Sequence, residues 1–496
     1  MQGKVLNLAF TYLRQLLNAV RLLSLLFIAL FIFSPSDNAN AAPWIETGDE
    51  RSRHHLQYLN DTGAINLPLT SWPVSWADIN RELVDIHLDE LDSKQLWSYR
   101  YLRHAREQDD RSIKTTKRFY GSNSINPFTH FASGSTEETY LNSETTLLHN
   151  HFALNIDVQA IRNPTNEDST RFDGSYLATQ IGNWTAGIGS FDRWWGPGWQ
   201  SSLILSNNAR PTEGVFIRRS QSLGVNLPLL SLLGPWSFKA FAGRLAGENS
   251  VPKDRLMGTR FTATPLSFLE ISLSKILIRN GDLPELDGRE ETGDDENRED
   301  KSTTNTSYDF RLSLPSRSFS TAVYGQWLHN EDHATAKAES AKMAGFELGF
   351  SWAATHNRLA LEIADTENSI TTTETPSENP IYGLPSYLGG YRHHGRVIGE
   401  SAGTNATKIS ALGDHYLDNG IQLSWRFSQL DINKNSESGN VFTPSPLAQE
   451  IAEISFKFPL SGFALVNAGG FYLSEDMMLV NRKLNSGAYL QLELRF

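Results

Sequence analysis

The stretch Ala488-Tyr-Leu-Gln-Leu-Glu-Leu-Arg-Phe496 decides how the rest of the chain is read. Side chains alternate across an extended strand, so Ala488, Leu490, Leu492, Leu494 and Phe496 share one face and Tyr489, Gln491, Glu493 and Arg495 the other. The same alternation runs upstream. Phe152, Leu154, Ile156 and Val158 alternate with Ala153, Asn155, Asp157 and Gln159, and Phe346, Leu348, Phe350 and Trp352 with Glu347, Gly349 and Ser351. Ile421, Leu423, Trp425 and Phe427 alternate with Gln422, Ser424 and Arg426, and Ile454, Phe456 and Phe458 with Glu453, Ser455 and Lys457. From about residue 128 onward roughly sixteen such segments can be counted. Strands with one apolar and one polar face suit two architectures. In a soluble sandwich the apolar faces meet in a core; in a transmembrane β-barrel they face lipid and the polar faces line the lumen.

Three features favour the barrel. The terminal strand ends on an aromatic, which resembles the segment by which bacterial outer-membrane barrels are recognised for insertion. Trp184, Trp236, Tyr308 and Trp327 are expected to supply interfacial girdles. Residues 1–41 read as a cleaved signal peptide: Lys4, Arg14 and Arg21 flank the apolar run Leu22–Phe33, and Ala39-Asn-Ala41 has the small-x-small form of a cleavage site. That run is too short for a spanning helix, which needs roughly 20 apolar residues. The expected location is therefore the cell outer membrane, with outer-membrane lipid around the barrel.

Composition narrows the function. Among 496 residues there is no cysteine, which excludes disulfides, thiolate metal sites and a cysteine nucleophile. A formal charge of −12 argues against a nucleic-acid partner, which calls for a positive footprint. Residues 281–300 hold ten acids and two arginines, a local −8, and read as a solvated loop without the ligand spacing of an EF-hand. No nucleophile elbow, His-Glu-x-x-His helix or phosphate-binding loop is present, so neither a catalytic residue, a cofactor nor a metal is assigned. His329 and His333 fall in a polar connection. His149 and His151 share a strand face with Asn155 and Asp157 and are expected to point into the lumen.

The chain divides into residues 1–41, a helical region over 42–120 and a barrel over 121–496. In the helical region, Leu56 and Leu59 lie on a helix over Asp49–Asn60, Ser75 caps a helix carrying Ile79, Leu83 and Ile86, and Leu96, Tyr99 and Leu102 mark a third. Arg100, Arg103, His104, Arg106 and Arg111 make its second half basic. Residues 364–415 read as a long connection rich in Gly, Tyr and His, with Tyr391 and Arg392 in its densest part.

The most unusual stretch is Asp192-Arg-Trp-Trp-Gly-Pro-Gly-Trp199, followed by Asn207, Asn208 and Arg210. Pro197 and its flanking glycines prevent a regular strand. Indole faces stack on sugar C–H faces while carboxylate, amide and guanidinium groups meet hydroxyls, so Asp192, Arg193, Trp194, Trp195, Trp199, Asn207, Asn208, Arg210, Tyr391 and Arg392 are candidates for polysaccharide binding or for a plug in the lumen.

This motif, with Ser202-Leu-Ile-Leu-Ser-Asn-Asn-Ala-Arg-Pro211, Trp44-Ile-Glu-Thr-Gly-Asp49 and Trp72-Pro-Val-Ser-Trp76, closely resembles the signature of the Wzi capsule-assembly family. The resemblance implies an all-β transmembrane barrel of 18 antiparallel strands with a small α-helical bundle on the periplasmic side. It also implies a lectin-like role, holding capsular polysaccharide on the cell surface. A monomer that binds surface polysaccharide is expected, and a periplasmic position would let the helices meet the polysaccharide export machinery. The rivals are a porin or polysaccharide channel and an outer-membrane hydrolase.

Overall fold

The computed structural model describes residues 44–133, 135–149, 151–165, 168–224, 230–246, 255–279, 302–314, 316, 319–332, 337–367, 381–383, 390–434, 440, 442–479 and 482–496. The signal-peptide reading of residues 1–41, the acidic segment 281–300 and His333 lie outside them. Eighteen antiparallel strands form a closed barrel, one of them in two pieces, Thr170–Arg171 and Tyr176–Ile181. The ring closes where Thr116–Ser122 pairs with Tyr489–Arg495. Closure removes free sheet edges, the condition for placing strands in hydrocarbon.

The faces are partitioned as the alternation requires. In the strand Leu269–Arg279, Ile271 and Leu273 are exposed outward while Glu270, Ser272 and Ser274 are buried inward. In the final strand Leu490 is exposed and Glu493 buried. Tyr308 and Trp327 are exposed but lie mid-strand, paired with each other and one step from Lys342. Lys342 is outward and exposed, so the strands continue beyond the apolar band at that end and this aromatic pair marks its border. Trp352 marks the opposite border at a two-residue turn.

The two ends of the barrel differ. At one end the hairpins turn tightly, as at His149/Phe152, Leu266/Leu269, Trp352/Thr355 and Ser461/Ala464. At the other the connections are long, as between Ser122 and Thr139 and between Gly189 and Gly214. His149 and His151 sit exposed at a tight turn, not on the lumen wall as expected, because the strand ends at His149. His329 lies inside the strand Phe319–Asp332 and not in a connection.

Helix α1 (Glu50–Asp61) starts on Asp49, whose carboxylate accepts from the Ser52 N–H at 3.0 Å. It inserts into the lumen from the tight-turn end. Eleven of its twelve residues are buried, including Glu50, Arg53, His54, His55, Gln57 and Asp61. No amphipathic stripe is visible because the surrounding wall is itself polar. Helices α2 (Trp76–Asp85) and α3 (Ser93–Asp109) remain at that end. On α3, Asp92 and Gln95 form a reciprocal capping box. Asp78 on α2 accepts the Ser222 N–H and hydroxyl, both at 3.0 Å, fixing it to a barrel connection. The helical region is thus partly an insert in the barrel and not a separate appendage.

Two boundaries differ from the sequence expectation. The helical region ends at Asp109, and Ile113–Ser122 is the first barrel strand, not part of a helical unit reaching residue 120. Its outward face carries only Ile113 and Phe119 as large apolar groups, too few to display the period. The long connection spans 366–405, since Ala406–Leu417 is a strand whose inward Lys408 and central Gly413 mask the alternation.

Candidate functional site

The tryptophan motif folds into the lumen from the long-loop end. Only Trp194–Trp195 is extended, pairing with Ser71–Trp72 of the N-terminal segment. Trp194, Trp195 and Trp199 are between 0% and 2% exposed, which rules out direct stacking of their faces on a polymer outside the barrel. The turn is held by inward groups on neighbouring strands. Glu362 accepts the backbone N–H of Trp199 at 2.5 Å and that of Gln200 at 3.0 Å, and Glu347 accepts the Trp199 indole N–H at 2.7 Å. Gln326 accepts the Leu203 N–H and donates to the Trp195 carbonyl, both at 2.9 Å. At Gly198 an added Cβ would lie 2.3 Å from the Ser201 carbonyl oxygen, so this close passage requires glycine.

The motif meets α1 inside the barrel. The Arg53 guanidinium donates to the Pro197 carbonyl at 2.7 Å and lies 3.9 Å from the Trp199 ring. One insert therefore enters from each end, and they touch. From the 366–405 connection, the Tyr391 and Tyr382 hydroxyls donate to the Ile204 and Leu203 carbonyls at 2.5 and 2.8 Å. Tyr391 is completely buried; Arg392 is half-buried in the ribbon Arg392–His393/Arg396–Val397. Arg193 is buried against Phe191 and Phe241 at 4.2 and 4.5 Å. Tyr382, Tyr391 and Arg193 pin the plug.

The remaining candidates face a different feature. Asp192, Asn207, Asn208 and Arg210 line a cavity of about 310 Å³ between the inserted motif and the barrel wall, toward the long-loop end. Arg210 donates to Asp173 at 2.7 and 3.1 Å and to the exposed Asp168 at 2.7 Å. Asn208 is committed to the plug through the Val397 carbonyl and Arg396, whereas Asn207 is half-buried and holds the Phe131 carbonyl at 3.0 Å.

The opposite wall was not legible as a site. It comprises Arg118, Tyr140, Asn142, Glu144, Asp157 and Arg171, with Glu46 from the N-terminal segment. Their inward positions on alternating strands were the available signal, but nothing along the chain distinguishes them from other lumen residues. Arg118 bonds Glu493 at 2.9 Å and Glu144 at 2.8 Å, and Asp157 accepts from Asn142. The cavity combines five carboxylates (Glu46, Glu144, Asp157, Asp173 and Asp192) with three guanidiniums (Arg118, Arg171 and Arg210).

Burial, with a smaller contribution from neighbouring carboxylates, shifts the titration of Asp192 and Glu46. Burial, reinforced by the Asp173 carboxylate and opposed by Arg193, pushes Asp192 up from 3.8 to about 7. Glu46 is exposed to the cavity, and desolvation and then Glu144 push its carboxyl up. An acid raised in the folded state binds more protons there than when unfolded. The stability contributed by protonated Asp192 is complete below about pH 4 and is lost as pH rises through about 7. The heat-modification midpoint in detergent is expected to fall between pH 5 and pH 9. Asp192→Asn should remove a component on the order of 1 kcal/mol, after discounting for the polar cavity. An identical pH slope in the variant would eliminate Asp192 as a contributor.

The family model of the capsule assembly protein Wzi matches residues 128–487. A Klebsiella pneumoniae protein described as an uncharacterized 55.8 kDa protein in the cps region is 26% identical over 349 residues. That match spans 66% of this chain and 66% of its relative, just under two thirds of the relative's length. Among solved structures, Escherichia coli Wzi is described as an outer-membrane protein involved in group 1 capsule assembly and a carbohydrate-binding β-barrel. It superposes with a TM-score of 0.78 at 21% identity, covering 92% of this chain and all of that one.

Proposed function

The chain belongs to the Wzi capsule-assembly family, and from that premise we propose that it is a lectin-like outer-membrane barrel that binds exported polysaccharide and retains it at the cell surface. The observation that carries this reading is the pairing of an occluded lumen with a polar cavity. Arg53 meets Pro197 and Trp199 at the junction of the two inserts, which opposes a porin's through-path. Toward the long-loop end the 310 Å³ cavity offers amide, carboxylate and guanidinium groups of the kind that meet sugar hydroxyls. Short turns are periplasmic and long loops extracellular in such barrels, so the cavity faces outward and the helices inward. Weak contacts repeated along a polymer give retention by multivalency.

We assign the finer features on the same basis. Residues 1–41 direct export and are removed. The exposed Arg100, Arg103 and His104 on α3 form the face that meets the export machinery. The barrel acts as a monomer within outer-membrane lipid, without catalytic chemistry.

Co-sedimentation of the purified protein with the host's own surface polysaccharide tests the reading. Asn207→Ala combined with Arg210→Ala is expected to weaken binding of an oligosaccharide repeat roughly tenfold, the effect of losing one charge-assisted contact. The barrel should remain heat-modifiable. Full retention by this variant would disqualify the cavity. A steady single-channel current through wild-type protein in a planar bilayer would favour the porin instead.

A further inference from the structure

Three histidines outside the cavity meet where α1 passes the barrel wall near the tight-turn end. His54 and His55 are consecutive on α1, and His356 is the second residue of the strand Thr355–Asp365. They are 3%, 0% and 1% exposed. We propose that His54, His55 and His356 bind one divalent transition-metal ion of the zinc class, fastening α1 to the wall.

Geometry carries the assignment. One ligating nitrogen from each ring lies within 4.8 Å of the other two. Ring centroids are 5.1, 5.7 and 6.1 Å apart. Imidazoles sharing a tetrahedral ion at roughly 2.1 Å per Zn–N bond have centroids roughly 5 Å apart, so the rings need to close by only about 1 Å. Each ring also leaves a buried nitrogen without a hydrogen-bond partner: Nε2 of His54, Nε2 of His55 and Nδ1 of His356. Buried polar atoms are normally satisfied, and one orphan nitrogen on each of three clustered rings calls for a shared acceptor of lone pairs.

The surroundings have the form of a ligand-orienting shell. His55 Nδ1 lies 3.0 Å from the Ser98 hydroxyl on α3, which fixes the ring and presents Nε2. His54 stacks on Tyr416 at 4.5 Å and His356 meets the edge of Trp97 at 3.9 Å, restricting both rings. His54 also borders a cavity of about 10 Å³, with Glu347 on its lining, large enough for a single water. The nearby Arg358 cation is compensated by its ion pair with Asp414. Imidazole donors suit zinc, copper and nickel, whereas the hard ions magnesium and calcium prefer oxygen.

The test uses untagged full-length protein in detergent, dialysed against zinc and then against metal-free buffer, with bound metal read by mass spectrometry. About one zinc per chain is expected, and cobalt in its place should give the visible absorption of a tetrahedral site. His356→Ala should lower retained zinc roughly tenfold while the barrel stays heat-modifiable; if that variant does not fold, His54→Gln serves instead. Zinc should raise the heat-modification midpoint of the wild type and leave that of the variant unmoved. Wild-type protein retaining no zinc above a protein-free detergent blank carried through the same dialysis, or a folded variant retaining as much as wild type, would overturn the assignment.

Discussion

Replacing Arg311 with alanine is expected to destabilise the barrel by about 3–5 kcal/mol, the usual consequence of stripping one partner from a buried ion pair. Arg311 is 3% exposed on the strand Ser302–Leu314. Its guanidinium grips Asp61 at the end of α1 through both terminal nitrogens and also bonds Glu347. Asp61 further accepts from the Ser313 and Ser320 hydroxyls at 2.6 and 2.5 Å. Without the cation, two carboxylates remain in a space with little water, and expelling α1 is the cheapest relief. Two measurements should therefore move together: a lower heat-modification midpoint, and current bursts in planar bilayers where the wild type is silent. A variant with unchanged midpoint and silent bilayers would show that Arg311 does not hold the insert.

Trp199→Ala attacks the plug from the other side. Truncating a buried tryptophan costs about 3–5 kcal/mol through lost burial and the cavity left behind. Here it also deprives Glu347 of its indole donor and removes the ring beneath the Arg53 guanidinium. The long-loop insert should loosen first, giving conductance with partial loss of polysaccharide retention. Because Glu347 serves both Arg311 and Trp199, the two substitutions are expected to be non-additive by about 0.5–3 kcal/mol. Strict additivity would mean that the inserts are held independently. Trp199→Ala with wild-type stability would end the plug interpretation of the motif.

What the sequence discloses and what it conceals both follow from the solvent on each side of a residue. Ile271, Leu273 and Leu490 are readable because lipid accepts only apolar groups, so outward positions keep a strict period. Inward positions meet other polar groups, and no period distinguishes a wall residue such as Asn142 from one that bonds an insert, such as Gln326. The three helices could be located, but α1 hides its polar residues against a polar lumen, so its burial could not be read. The tryptophan motif announced itself by composition, and its plug role followed once Trp194, Trp195, Trp199 and Tyr391 were found enclosed. The cavity was half visible: Asp192, Asn207 and Arg210 lie on the motif, whereas Glu46, Arg118 and Asp157 join them only when the ring closes.

The placement of α1 has a mechanical meaning. Its first residue, Glu50, bonds Arg426 on the strand Gln422–Ile432, and its last, Asp61, bonds Arg311, five strand pairings away around the ring. A helix of 12 residues is about 18 Å long, so α1 is a rigid chord pinned to the wall at both ends. A hollow hoop flattens easily under sideways load, because its circumference need not change. A strut across part of the hoop fixes the length of one chord, and a deformation that changes that chord then has to pull apart charged pairs shielded from water. Lateral pressure from the surrounding membrane is thereby carried by the Glu50 and Asp61 carboxylates as well as by the sheet.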